Sequence, residues 1–143
     1  MKFALTAALT FMFASTAMAE VLTYDAAYDV ANTSLAHVSC SDGDHGLITR
    51  GYTTYGSLPK FPFIGAAVAI TGYDSTNCGT CWQLTYTNST GIKKSINVLA
   101  IDSTKPGYNI GFKAMDELTG GRAHHLGKVD VTAKKVSSSI CGL

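Results

Sequence analysis

Apolar and polar residues alternate most clearly in three stretches. Trp82, Leu84 and Tyr86 alternate with Gln83, Thr85 and Thr87, and Ile96, Val98 and Ala100 alternate with Asn97, Leu99 and Ile101. Between them, 88–94 is rich in Asn, Ser, Gly and Lys, so 82–87 and 95–101 are predicted to form a hairpin. The second strand is apolar on both faces near its end, which implies a strand covered on both sides, as in a closed barrel. In the third stretch, Lys128–Val136, Val129, Val131 and Ala133 share one face opposite Lys128, Asp130, Thr132 and Lys134. It reads as a strand with one solvated side. Weaker strand patterns run over 20–28 and 66–72.

One helix is marked. Ile110, Ala114, Met115 and Leu118 recur at helical spacing, Asn109 stands where an N-cap belongs, and Gly120-Gly121 supplies a stop. Short helical turns are expected at 34–39 and 46–50, and Pro59 and Pro62 break the chain before the core strands. No linker, low-complexity run or internal repeat divides 20–143. The pattern as a whole predicts one mainly β domain with short helices.

The N-terminus reads differently. Met1-Lys2 carries one charge, Phe3–Phe13 is almost wholly apolar, and Ala17-Met18-Ala19 is a small-x-small exit before Glu20. That order is a secretory signal. Its apolar core is shorter than the ~20 residues a spanning helix needs. The expectation is a signal over 1–19, a domain over 20–143, secretion to the extracellular space or cell wall, and no membrane anchor.

Export changes the charge. The chain has 11 Lys+Arg and 10 Asp+Glu, and loss of Lys2 leaves ten of each. A neutral domain has no broad field for phosphate backbones, so nucleic acid is not an expected partner. Two sequons, at Asn32 and Asn88, fit an exported chain.

All four cysteines, Cys40, Cys78, Cys81 and Cys141, fall in the exported part. An even count in a short exported chain reads as a two-disulfide framework. Spacing does not choose among the three pairings. Cys78-Gly79-Thr80-Cys81 has the form of a redox pair, but no βαβ pattern surrounds it. A zinc site would need His45, His124 or His125, and no second CxxC or HxxxH completes one. No metal and no cofactor are expected.

Several strings then coincide: Val21-Leu22-Thr23-Tyr24-Asp25, Cys40-Ser41-Asp42-Gly43-Asp44-His45-Gly46-Leu47, Tyr55-Gly56-Ser57-Leu58-Pro59, Asn77-Cys78-Gly79-Thr80-Cys81-Trp82, Ala100-Ile101-Asp102, and Gly127-Lys128-Val129-Asp130 before Cys141. In this order and spacing the chain resembles the fungal cerato-platanins over essentially all of 20–143. The resemblance implies a double-psi β-barrel of the expansin type, with Cys40 paired to Cys78 and Cys81 to Cys141. It implies a monomeric, non-catalytic cell-wall protein that binds chitin or N-acetylglucosamine oligomers and loosens wall polysaccharide. It also implies elicitation of plant defence, which would add a plant immune receptor as a partner.

The resemblance places Asp102 at the position of the family's groove aspartate and Asn109 at another polar groove position. Inverting hydrolysis needs two carboxylates ~6.5–9.5 Å apart. Nothing in the spacing of Asp42, Asp44 or Asp130 proposes a partner for Asp102, so sugar binding is expected rather than cleavage. A strand-end carboxylate bonding nearby backbone would explain Asp102 structurally, and an N-cap would explain Asn109. Asp42, Asp44 and His45, in the polar loop after Cys40, are further candidates to line an oligosaccharide groove; a tight turn is the structural alternative. Tyr52, Tyr55 and Tyr73 are expected to be exposed, and Tyr73 is the candidate stacking platform for a pyranose. Trp82 is assigned to the core, and His124-His125 to a solvated loop. A weak glycoside hydrolase and a self-assembling hyphal surface protein are the alternative functions.

Overall fold

The structure, a computed structural model, describes residues 7–11 and 16–143. The expected signal lies partly outside the described residues. Six strands close a mixed barrel in the order β1-β5-β2-β4-β3-β6: β1 Met18–Tyr24, β2 Ile64–Ala67, β3 Cys81–Thr87, β4 Lys93–Ser103, β5 Tyr108–Ile110 and β6 Lys128–Val136. Strand β1 runs parallel to β5, and β2 parallel to β4. The other neighbours are antiparallel.

The predicted hairpin is β3–β4, in register from Cys81 opposite Leu99 to Thr87 opposite Lys93. Its turn is held by the Asn88 side chain, whose Oδ1 accepts from the backbone N–H groups of Thr90 (3.0 Å) and Ile92 (2.9 Å). Strand β6 keeps the predicted alternation, with Val129, Val131 and Ala133 buried and Lys128, Asp130 and Thr132 exposed. These residues share the barrel interior with Leu22, Leu84 and Ile96.

Strand β4 is buried on both faces from Val98 to Ile101. Its two neighbours are β3 and β2, and its outer face is covered by the long segment between β1 and β3. Backbone bonds seat that cover: Cys40 donates to the Ile101 carbonyl (3.1 Å), Leu99 to Phe63 (3.0 Å) and Gly79 to Ala100 (3.0 Å). Leu35, Leu47, Leu58 and Ile70 of the cover are all buried.

The disulfides are Cys40–Cys78 and Cys81–Cys141. Cys78 and Cys81 bond to different partners, so the CxxC string is not a redox pair. The first bridge ties the early part of the cover, at Cys40, to its end beside β3, at Cys78. The second fixes the C-terminal turn to β3.

Several expected elements differ. The strand expected over 20–28 ends at Tyr24, where Asp25 caps a 3-10 turn over Ala26–Asp29 by accepting from Ala27 N–H at 2.8 Å. The strand expected over 66–72 is Ile64–Ala67, after which the chain turns. The 34–39 turn is a single 3-10 turn, Leu35–His37, and 46–50 forms turns without a helix. Strand β1 continues across the expected cleavage point, with Met18 and Ala19 beside Ala133 and Thr132. His124 and His125 sit on a short helix, α2, Ala123–Leu126, and are exposed.

The helix is α1, Phe112–Leu118, and Asn109 is not its N-cap. Asn109 and Ile110 belong to β5, and the cap position is Gly111, which has no capping side chain. The cap is supplied from elsewhere: the Asp29 carboxylate accepts from Lys113 N–H at 3.1 Å. A Cβ at Gly111 would lie 2.6 Å from Asp29 Oδ1. Glycine here therefore makes room for the remote cap. Local sequence has no means of showing it, because 84 residues separate the partners.

Two outcomes follow from this architecture. Replacing Cys40 and Cys78 together by Ala should lower the unfolding free energy in a denaturant titration by about 4 kcal/mol, the loop-closure entropy of such a bridge. Asp29→Ala should cost about 1 kcal/mol, as loss of an N-cap does, although Asp29 lies outside the helix.

Candidate functional site

Asp102 lies near the end of β4, partly exposed, and three donors converge on it. Oδ1 accepts from the backbone N–H of Ser39 (3.0 Å) and of Ser103 (2.9 Å), and Oδ2 from the Tyr28 hydroxyl (3.4 Å). Tyr28 stacks on Tyr55, with centroids 5.9 Å apart and planes at 28°. Burial, and next the charge of Asp102, push the Tyr28 phenol up; the same two causes raise Tyr55. Both tyrosines therefore stay protonated, and Tyr28 remains a hydrogen-bond donor to the carboxylate. Tyr55, expected to be exposed, is buried because it backs Tyr28.

Ser39 connects Asp102 to a second group of candidates. Its N–H is held by Asp102, its carbonyl accepts from Asp74 N–H (3.3 Å), and its hydroxyl lies 2.9 Å from that of Ser103. The loop after Cys40 thus packs beside the turn around Asp74. There the Tyr73 hydroxyl donates to Asp42 Oδ1 at 2.6 Å. Asp74 Oδ1 accepts from His45 N–H at 2.8 Å and lies 3.2 Å from His45 Nδ1. Asp74, Tyr73, Asp42 and His45 consequently form one surface with Asp102. Asp44 is exposed on the same loop, and its charge contributes to raising Tyr73, after the leading effect of the Asp42 hydrogen bond. Tyr73 is 65% exposed, so most of its side chain is open to solvent.

Asp74 was not singled out by the sequence. It has φ 55, a conformation that asparagine and aspartate tolerate better than most residues. The backbone N–H of His45 is the chief cause that holds its carboxyl below the ordinary range. Gly43 is needed beside it: a Cβ there would lie 2.7 Å from the Asp74 carboxyl carbon, and its own φ is +82.

Asn109 stands apart from this group. It lies on β5 between Thr23 of β1 and Ala66 of β2, and Ala66 in turn is opposite Asp102. Asn109 and Asp102 therefore flank the same alanine without touching. Asn109 lines a separate cleft with Thr23, Thr104, Lys105, Lys128 and Asp130. Its Oδ1 is buried with no hydrogen-bond partner.

This architecture defines a class: small double-psi barrels, stapled by two disulfides, with a polar and aromatic surface at one edge. The chain belongs to the cerato-platanin family, whose model it matches over residues 20–143. It is 46% identical over 122 residues to the heat-stable 19 kDa antigen of Coccidioides immitis, covering 85% of this chain and 80% of that protein. It is 39% identical over 128 residues to cerato-platanin of Ceratocystis fimbriata f. sp. platani, covering 89% and 90%. Among solved structures, cerato-platanin 1 from M. perniciosa superposes with a TM-score of 0.82 at 48% identity, covering 85% of this chain and 98% of that one. The solution structure of the fungal elicitor cerato-platanin gives 0.73 at 38% identity, covering 85% and 95%.

The hydrogen bonds around Asp102 and Asp74 predict separable effects. Asp102→Ala strands the Ser39 N–H and should lower stability by about 2 kcal/mol, whereas Asp102→Asn retains a carbonyl acceptor and should cost less than half of that in the same denaturant titration. For Asp74, a depressed native pKa means that its contribution is present above the unfolded value and is lost as pH falls through the native one. Acid unfolding of the wild type should therefore be shallower in Asp74→Asn, read as fluorescence against pH.

Proposed function

We propose that this chain is an exported, non-catalytic wall protein that binds chitin-type N-acetylglucosamine oligomers on the surface around Asp102, loosens wall polysaccharide, and is sensed as an elicitor by plants. The carrying observation is that the carboxylates of this surface are already acceptors in fixed bonds: Asp102 from Ser39, Ser103 and Tyr28, Asp42 from Tyr73, and Asp74 from His45. A general acid needs a carboxyl held protonated near neutral pH. Asp74 is displaced in the opposite direction. What the surface offers instead is an exposed tyrosine ring, fixed acceptors for sugar hydroxyl and amide N–H groups, and a serine pair at its centre. Those are the parts of a carbohydrate-binding face. The two disulfides fit an oxidising, extracellular setting. The family and its named relatives support elicitor-like behaviour; one solved member is described as a fungal elicitor.

Titration of residues 20–143 with N-acetylglucosamine oligomers, followed by amide NMR, should shift the resonances of Ser39, Asp42, His45, Tyr73 and Asp102. Unmoved resonances at saturating oligomer would reject chitin-type binding. Reducing-end release from the same oligomers, abolished in Asp102→Asn, would replace this reading by hydrolysis.

A further inference from the structure

The hairpin tip between β3 and β4 carries chemistry that the Asp102 surface does not use. Residues 88–90 read Asn-Ser-Thr, one of the two sequons of the chain. A sequon accepts a glycan on its asparagine nitrogen and needs a hydroxyl two residues on. The structure brings these two side chains together: the Thr90 hydroxyl donates to Asn88 Oδ1 at 2.8 Å. All three side-chain bonds of the turn end on that oxygen, from Thr90 N–H, the Thr90 hydroxyl and Ile92 N–H. Among the described residues Asn88 Nδ2 has no acceptor, and it is not enclosed. A substituent on Nδ2 therefore leaves the turn intact. Ser89, Thr90 and Gly91 are exposed, and a Cβ on Gly91 would meet nothing within 4 Å. The space around the tip is open.

A hollow of about 120 Å³ adjoins Asn88. The buried Leu118 and Thr119, at the end of α1, line it together with Tyr86 and Ile92 of the hairpin. The Lys94–Glu117 pair, at 3.0 Å, ties the hairpin to that helix. Ile92 is 66% exposed, so apolar surface lies open beside the acceptor nitrogen. An aromatic ring and an aliphatic side chain suit the apolar face of a single sugar ring.

The other sequon, Asn32-Thr33-Ser34, is arranged differently. The Ser34 hydroxyl accepts from Ala36 N–H at 3.1 Å, which caps the next turn. The carbonyls of Ala31 and Thr33 accept from Gly56 and Tyr55, both at 2.9 Å. That stretch is a seam within the cover rather than a loop tip. Asn88 and Asp102, by contrast, stand at opposite ends of β4. Nine residue steps from Lys93 to Asp102, at about 3.3 Å each, separate them by about 30 Å. A glycan on Asn88 stands clear of the Asp102 surface.

We propose that Asn88 carries an N-linked glycan whose first N-acetylglucosamine lies over the hollow between Tyr86 and Ile92. In the transfer, Asn88 Nδ2 bonds to the anomeric carbon of a lipid-linked pyrophosphate oligosaccharide. The bond from that carbon to the pyrophosphate oxygen breaks, the lipid pyrophosphate leaves with the electron pair, and the amide gives up one proton. The inference rests on export through the secretory route and is independent of the sugar-binding reading.

The test uses the full chain, expressed in a fungal host and recovered from the medium. Release of the glycan by an amidase in heavy-oxygen water, followed by peptide mass mapping, should find Asn88 converted to labelled aspartate. Thr90→Ser should keep the glycan and Thr90→Ala should lose it; both leave the Asn88 oxygen in place for the turn. For the seating, an endoglycosidase trims the glycan to one sugar. This form should melt about 4 °C above the bare chain of identical sequence made in a bacterial periplasm, and the amide resonances of Ile92 and Gly120 should differ between the two. Secreted chain with Asn88 unmodified would overturn the inference and leave export standing. Retention of the chain inside the cells would overturn export and the inference with it. A glycan on Asn88 with equal melting temperatures and unmoved resonances would overturn the seating over the hollow.

Discussion

Strand β4 is apolar on both faces and has to be covered on both. This constraint organises the rest of the molecule. The barrel interior accepts one face, through Ile96, Val98 and Ala100. The other face, with Leu99 and Ile101, needs a cover from outside the sheet. The segment between β1 and β3 provides it, and the Cys40–Cys78 bridge ties the early part of that cover to its end. Burial of these side chains stabilises the arrangement through the apolar area removed from water, and the bridge reduces the entropy the open chain would otherwise regain.

The candidate surface is a by-product of the same cover. Its loops have to leave β4 where the strand ends, which is where Asp102 stands. The backbone of Ser39 passes Asp102 there, and the following loop meets the turn at Asp74. Asp102 thus has a structural duty and an exposed position together. A carboxylate that ties a loop to a strand is rigidly placed, and rigid placement is also what recognition of a polar ligand requires. The tyrosine pair behind it, Tyr28 on Tyr55, contributes in the same way by fixing a donor from below.

The surroundings of Asp102 and of Asn109 differ because different segments pack beside them. Near Asp102 the neighbours are loops in which Asp42 is engaged by a tyrosine and Asp74 by an imidazole and a backbone N–H. Near Asn109 the neighbours are the exposed lysines of β6 and of the loop after β4. The barrel closes β1 onto both β5 and β6, so Lys128, Thr23 and Asn109 become neighbours although they lie far apart in the chain. Which residues gather around Asn109 is therefore set by strand order.

Much of the fold was legible in the residues. The alternation of 82–87, 95–101 and 128–136 determined three strands and their buried faces, because a side-chain period of two is a local property. The double apolar character of β4 announced a covered strand. The quoted strings, through their resemblance, led to the barrel, the two pairings and Asp102. The tertiary structure decided the rest. Three-residue β5 has too little sequence to carry a period, and Asn109 took its place there because β1 and β2 supply partners on either side. The helix cap came from Asp29, across 84 residues. Asp74 joined His45, and Lys105 joined Lys128, only through chain segments brought together by closure of the sheet. Local patterns determine which face of an element is buried; which side chains meet on the surface depends on contacts between distant residues, and those exist only after the barrel has closed.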